Sequence, residues 1–144
     1  MSEEKNEKRS VEKSEAEWKA QLNPEAYHVL REKGTEGPFT GQYDLFFEEG
    51  QYFCKGCGAK LFDSEVKYNS GCGWPAFFDS ESDAIERKID KSHGMVRVEV
   101  LCKKCGGHLG HVFNDGPAPT GERFCINSAA LQFEAKDEES QQGQ

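Results

Sequence analysis

Gln51-Tyr52-Phe53-Cys54-Lys55-Gly56-Cys57-Gly58 and Val98-Glu99-Val100-Leu101-Cys102-Lys103-Lys104-Cys105-Gly106 share one local grammar. Each is a β-prone run entering a C-x-x-C turn that is followed by glycine. Such a turn sets two sulfurs on one side of a tight bend, near the ~2.3 Å of a Zn–S bond. The glycine supplies the positive φ that a sharp knuckle needs. Together Cys54, Cys57, Cys102 and Cys105 have the number and spacing of ligands for one tetrahedral structural zinc. The competing account is two independent structural or disulfide-forming pairs, and the matched surroundings favour zinc. The spacer between the pairs is longer than in a compact zinc ribbon. The metal would therefore clip together two distant parts of one domain.

Outward from the knuckles the chain reads as short helices and then antiparallel strands. Ser14-Glu15-Ala16-Glu17 is a capping box that opens a short helix through Trp18 to Leu22. Asn23-Pro24 opens a second, which carries Ala26, Tyr27, Val29 and Leu30 and stops at Gly34. After Gly37-Pro38, Tyr43 to Phe47 and Gln51 to Phe53 read as a hairpin around Glu48-Glu49-Gly50. Val96, Val98 and Val100 alternate with Arg97, Glu99 and Leu101, mostly a half-buried strand. Leu109 to Phe113 is a further strand, residues 116–121 a loop, and Arg123 to Phe133 a final strand with a potential break near Ser128. The result is a mainly β fold without a βαβ rhythm, which argues against a thioredoxin fold despite the C-x-x-C pairs.

The 144 residues suit one domain. The net charge of −8 sits mostly at the ends, and no basic stripe is present, so nucleic acid is not an expected partner. Apolar stretches are too short to span a membrane, and the N-terminus has neither signal-peptide nor transit-peptide character. A cytoplasmic monomer is expected. Reduced thiols there suit zinc and transient catalytic disulfides better than structural ones. Residues 1–13 and 136–144 lack apolar periodicity and read as disordered tails, leaving 14–135 as the domain.

Cys72 and Cys125 remain, the minimum for a redox cycle in which one thiol attacks and the other resolves. Period-2 geometry puts Arg123, Cys125 and Asn127 on one strand face, with Phe124 and Ile126 on the other. A nearby guanidinium raises the thiolate fraction of Cys125. The alternative is a buried, inert cysteine. Cys72 lies between two glycines, which gives it the backbone freedom a resolving thiol needs. Beside it Trp74 offers an aromatic seat for a small apolar group, unless it is a core anchor. His108 and His111 are spaced for metal, but four thiolates already complete a tetrahedral site. Proton transfer is the better use, with Asp115 to orient a histidine or a water. Two bland surface histidines are the other option.

Ser70-Gly71-Cys72-Gly73-Trp74-Pro75-Ala76-Phe77, Gly110-His111-Val112-Phe113-Asn114-Asp115-Gly116-Pro117 and Arg123-Phe124-Cys125-Ile126-Asn127-Ser128 resemble the signatures of the B-type methionine sulfoxide reductases. The resemblance covers nearly all of residues 15–135. Phe124 and Ala76 depart from it, standing where Tyr and Ser are common. It implies two antiparallel sheets in a tent-like arrangement, short N-terminal helices and a structural zinc remote from the active site. It also implies reduction of the R epimer of methionine sulfoxide, chiefly in proteins. In that scheme Cys125 is the nucleophile and Cys72 the resolving thiol, joined in a Cys72–Cys125 disulfide that thioredoxin reduces. His111 with His108 supplies the proton, helped by Asp115, Asn127 and Arg123, and Trp74 and Phe113 bind substrate. The rivals are a non-enzymatic zinc-binding adaptor of the same fold and a zinc hydrolase or deaminase. The first has no use for Cys125, Cys72 and Trp74. The second typically needs an H-x-E with P-C-x-x-C, and neither pattern is present.

Overall fold

Among the described residues, both α-helices begin where their capping residues place them. The computed structural model describes residues 11, 13–81 and 83–135. The expected tails lie outside the described residues, except for Val11 and Lys13. In α1 (Glu15–Gln21) the Ser14 hydroxyl accepts the Glu17 N–H and the Glu17 carboxylate accepts the Ser14 N–H. Such a cap stabilises a helix by about 1 kcal/mol. In α2 (Pro24–Glu32) the Asn23 side chain accepts the Ala26 N–H at 2.8 Å. This helix ends at Lys33, which turns left-handed at φ 59°. Gly34 follows because a Cβ there would fall 2.1 Å from the His28 ring.

Among the described residues, nine strands form two antiparallel sheets. The smaller has the order β2-β1-β9, with β1 (Gly50–Cys54), β2 (Lys60–Asp63) and β9 (Leu131–Ala135). The larger has the order β3-β4-β8-β7-β6-β5. Its strands are β3 (Lys67–Tyr68), β4 (Ala76–Phe77), β5 (Ile85–Asp90), β6 (Arg97–Cys102), β7 (His108–Phe113) and β8 (Arg123–Ile126). The final strand of the sequence reading does break at Ser128. Its first half belongs to the larger sheet and its second to the smaller, joined by the 3₁₀ turn Ser128–Ala130. That crossing joins the two sheets covalently.

The core fills the space between the sheets and the helices. Phe62 stacks on Phe77 at 4.2 Å, Tyr52 meets Phe77 edge-on, and Trp18 and Leu30 close the helical side. Phe124 and Ile126 point into this core, opposite Cys125, as period-2 geometry requires. The missing hydroxyl of Phe124 therefore lies on the core face, away from Cys125.

Two expectations change. Tyr43 to Phe47 is not a strand but an irregular segment. Its backbone is held by a side chain, the Ser128 hydroxyl accepting the Tyr43 N–H, and Tyr43 packs edge-on against Phe46 and Tyr52. The second change concerns β6. Its alternation reads as mostly a half-buried strand, yet Glu99 among the alternating polar residues is 1 % exposed. The end of α2 and the segment after it roof that face, with Lys33 reaching Glu99 at 3.4 Å. The polar face of the larger sheet is thus buried at Glu99 and His108, while Arg87, Lys88 and Ile89 on β5 stay exposed.

Candidate active site

The roofed face of the larger sheet carries the chemistry. His111 on β7 is the registered partner of Cys125 on β8, and Glu99 on β6 is the partner of His111. Residues three apart on a regular strand point to opposite faces. His108 and His111 nevertheless share one face, with ring centroids 5.5 Å apart. The cause is a register shift between Val100 and Leu101, which pairs Val100 with Gly110 and Leu101 with His108, so that β7 holds one extra residue.

Each histidine is held by a carboxylate from another strand. His108 Nδ1 lies 2.7 Å from Glu99, and His111 Nε2 lies 2.8 Å from Asp90. Burial holds His108 below the ordinary imidazole range despite Glu99. The His111 hydrogen bond, with those from Ser92, holds Asp90 well below the usual carboxylate range. Arg97 approaches Asp90 at 3.5 Å and completes a charged frame. Asp115 and Asn127, expected to position the histidines or a water, have other hydrogen-bond partners here. Asp115 takes the Arg123 guanidinium in a two-point fork at 2.9 and 3.1 Å. Asn127 is buried, donates to the Leu109 carbonyl and accepts the Glu36 N–H.

Cys72 and Cys125 meet here, Sγ to Sγ at 3.0 Å. Glycines at 71 and 73, with φ of 77° and 96°, turn the loop so that Cys72 reaches the strand. The contact divides the pair electrically. A hydrogen bond from Cys125 holds Cys72 down at about 5, and the same bond pushes Cys125 up, with burial adding to the rise. Arg123, 3.6 Å from the Cys125 sulfur, pulls that thiol back down. In the closed pair the two thiols share one proton, and ionisation of one opposes ionisation of the other.

A cavity of about 90 Å³ opens over Cys125. Trp74, Phe113, His111 and Asn127 line it, joined by Thr35 and Arg97, which the sequence reading did not single out. The Arg123 guanidinium lies over the Phe113 ring, 4.5 Å from its centre. The missed residues Asp90, Arg97 and Glu99 had one visible signal. Arg97 and Glu99 are charged residues on β6 beside the His108-x-x-His111 strand and Asp90 lies on β5 beyond it, but their partners could not be assigned without register.

The four remaining cysteines converge elsewhere. Among the described residues, Cys54, Cys57, Cys102 and Cys105 form the one group of at least three such ligands, with sulfurs within 4.8 Å of one another. A tetrahedral zinc with ~2.3 Å bonds needs sulfurs about 3.8 Å apart. Cys54 and Cys105 are 3.8 Å apart, and Cys57 and Cys102 are 3.5 Å apart. The two knuckles repeat one hydrogen-bond pattern, with Gly58 N–H to the Cys54 carbonyl and Gly106 N–H to the Cys102 carbonyl. Gly58 and Gly106 have φ of 83° and 78°, as the turn requires. The site fits one structural zinc.

A thiol pair with its sulfurs 3.0 Å apart, beside a histidine and below an aromatic-lined cavity, defines a dithiol oxidoreductase. The SelR domain model matches residues 22–135, and the chain belongs to that family. It is 57 % identical over 129 residues to a protein of Methylibium petroleiphilum called peptide methionine sulfoxide reductase MsrB, covering 89 % of this chain and 94 % of that one. It is 56 % identical over 137 residues to the protein of the same name from Methanosarcina barkeri, covering 94 % and 96 %. A third, from Leptospira interrogans, is 56 % identical over 125 residues, covering 86 % and 95 %. Among the described residues, no helix is long and apolar enough to cross a membrane.

Proposed function

We propose that this chain reduces the R epimer of methionine sulfoxide in proteins to methionine through the Cys72–Cys125 pair. The observation that carries the reading is the 3.0 Å sulfur contact at the edge of the cavity, with His111 paired to Cys125 across the strands. A zinc adaptor of the same fold would not need two free thiols in contact there.

The sulfoxide enters the cavity with its methyl group against Trp74 and Phe113. Cys72 withdraws, taking the shared proton, and the charge passes to Cys125 beside Arg123. The Cys125 thiolate attacks the electrophilic sulfur while His111 delivers a proton to the oxygen. Asp90 engages Nε2 of His111, which leaves Nδ1 for the substrate. In the adduct the hydroxyl passes from the substrate sulfur to Cys125 Sγ. The substrate's sulfur–oxygen bond and the new sulfur–sulfur bond break, a bond from Cys125 sulfur to oxygen forms, and methionine leaves with Cys125 as a sulfenic acid. Cys72 attacks that sulfur, releasing water and forming the Cys72–Cys125 disulfide. An external dithiol, for which we assign thioredoxin, reduces the disulfide by exchange. Bound zinc supplies no chemistry to these steps and stabilises the fold from the knuckles. The catalytic unit spans residues 14–135, and a cytoplasmic monomer is the setting that the composition favours.

The test is turnover of the separated sulfoxide epimers by wild type and by Cys125→Ser. Reduction of the R epimer by wild type alone is expected. Equal use of both epimers, or an active Cys125→Ser, overturns the reading.

A further inference from the structure

Glu36 takes no part in the steps above, yet it is 6 % exposed and four hydrogen bonds tie it to the site. Its carboxylate accepts the Ser128 N–H at 2.8 Å and the Ala129 N–H at 2.9 Å. Its own N–H donates to Asn127 Oδ1 at 2.9 Å. Its carbonyl accepts the Trp74 indole N–H at 3.0 Å. Burial pushes the carboxyl up, and the Ser128 and Ala129 donors pull it back. Space is kept for it, because a Cβ on Gly41 would lie 2.3 Å from its Oε2.

These bonds connect three pieces that must hold still for binding. One is the turn directly after the Cys125 strand. The second is the segment 34–39, which carries the cavity residue Thr35. The third is the loop bearing Cys72 and Trp74. Segment 34–39 also meets that loop through the Phe39 N–H, which donates to the Gly73 carbonyl at 2.7 Å, with Phe39 at a left-handed φ of 66°. The Phe39 ring is largely exposed, and it and Pro38 border Gly73.

We propose that Glu36 is a positioning residue that holds the Trp74 indole over the cavity and thereby sets affinity for the methyl end of the sulfoxide. It acts through the backbone of its own segment and leaves the reactivity of Cys125 unchanged. The inference rests on the reading that Trp74 seats the substrate. A carboxylate that merely stabilised the fold would lower the melting temperature without separating binding from chemistry.

Glu36→Gln preserves volume but has one acceptor oxygen in place of two, so one backbone donor of the 128–129 turn loses its partner. The segment then loosens and the indole bond weakens. Two readouts follow. Proton exchange of the Trp74 indole N–H, identified by its loss in Trp74→Phe, should quicken about tenfold. The KM for a methionine-R-sulfoxide peptide should rise about tenfold, with the saturated single-turnover rate and the Cys125 alkylation rate changing by less than about twofold. If Glu36→Gln does not fold, Glu36→Asp, which keeps both oxygens one methylene short, is held to the same criteria. A folded variant with unchanged indole exchange and unchanged KM overturns the proposal. So does a loss of saturated rate and Cys125 reactivity at constant KM. Indole exchange needs no turnover, so it tests Glu36 even if wild type reduces neither epimer.

Discussion

His111 and Cys125 are registered partners on β7 and β8, and Asp90, two strands further along the sheet, holds His111 at 2.8 Å. The backbone ladder thus sets the imidazole beside the thiol, and the carboxylate fixes which ring nitrogen is left for the substrate. His111→Asn should lower the saturated single-turnover rate by about a hundredfold or more, the usual contribution of a positioned acid. Asp90→Asn should lower it less, by roughly tenfold, because the imidazole remains but is poorly oriented. Rapid-quench measurement of methionine formed at saturating sulfoxide separates the two. A larger loss in Asp90→Asn than in His111→Asn would reverse the assigned roles.

Cys72→Ser should separate chemistry from recycling. Reduction by Cys125 ends at the sulfenic acid and needs no second thiol, whereas exchange with thioredoxin needs a disulfide. The variant should form about one methionine per enzyme and then stall with thioredoxin. A small thiol that attacks sulfenic acid directly should partly restore turnover. Mass analysis after the burst reads the state of Cys125, and normal turnover with thioredoxin would remove Cys72 from the cycle.

The same variant carries a titration signature. The hydrogen bond with Cys72 is the largest influence pushing the Cys125 thiol up, while Arg123 pulls it down. Removing the Cys72 thiol therefore lets Cys125 ionise at lower pH than in the closed pair. Alkylation rate against pH should show its midpoint move to lower pH in Cys72→Ser, and a further Arg123→Met change should move it back up. No movement in either step would mean that neither neighbour controls the charge.

Burial holds His108 below the ordinary imidazole range. As pH falls through about 6.5, the unfolded chain takes up a proton that the folded chain refuses until its own lower pKa is reached. Wild type should therefore lose stability on acidification in that window, by at most about 1.4 kcal/mol per pH unit from this group. His108→Gln has no proton to take up, so the gap between wild type and variant should narrow from pH 7.5 to 5.5. Denaturant melts at fixed zinc concentration measure it. Parallel curves for the two proteins would show that His108 does not couple to folding.

Cys57→Ser breaks the zinc set at its half-buried member. Metal binding is coupled to folding, so the variant should retain far less zinc by elemental analysis and melt at lower temperature. The active site shares no side chain with the knuckles, so the folded fraction should keep a near-normal single-turnover rate. A metal-free wild-type preparation with an unchanged melting temperature would count against the structural role.

Much of the molecule was legible because its signals are local. The capping residues Ser14 and Asn23 act within three positions, and each knuckle closes within five. Period-2 alternation around Cys125 was sufficient to sort Arg123 and Cys125 from Phe124 and Ile126. Tyr43 to Phe47 misled for the opposite reason. β-prone aromatics fit a strand or an irregular aromatic cluster equally well, and contacts with distant Tyr52 and Phe133 decided the matter.

By itself the sequence determined the inventory: four zinc ligands, two spare thiols, two histidines, the capped helices and the β grammar. Tertiary structure alone decided who partners whom. Asp90 reaches His111 across 21 residues, and Glu36 reaches Ser128 across 92. The shift between Val100 and Leu101 brings both histidines to one face, a result that no spacing rule for a regular strand yields. The physical reason is register. A strand's pattern fixes which side chains alternate, but which charges meet, and whether a face is wetted or roofed, depends on the strands and segments laid beside it.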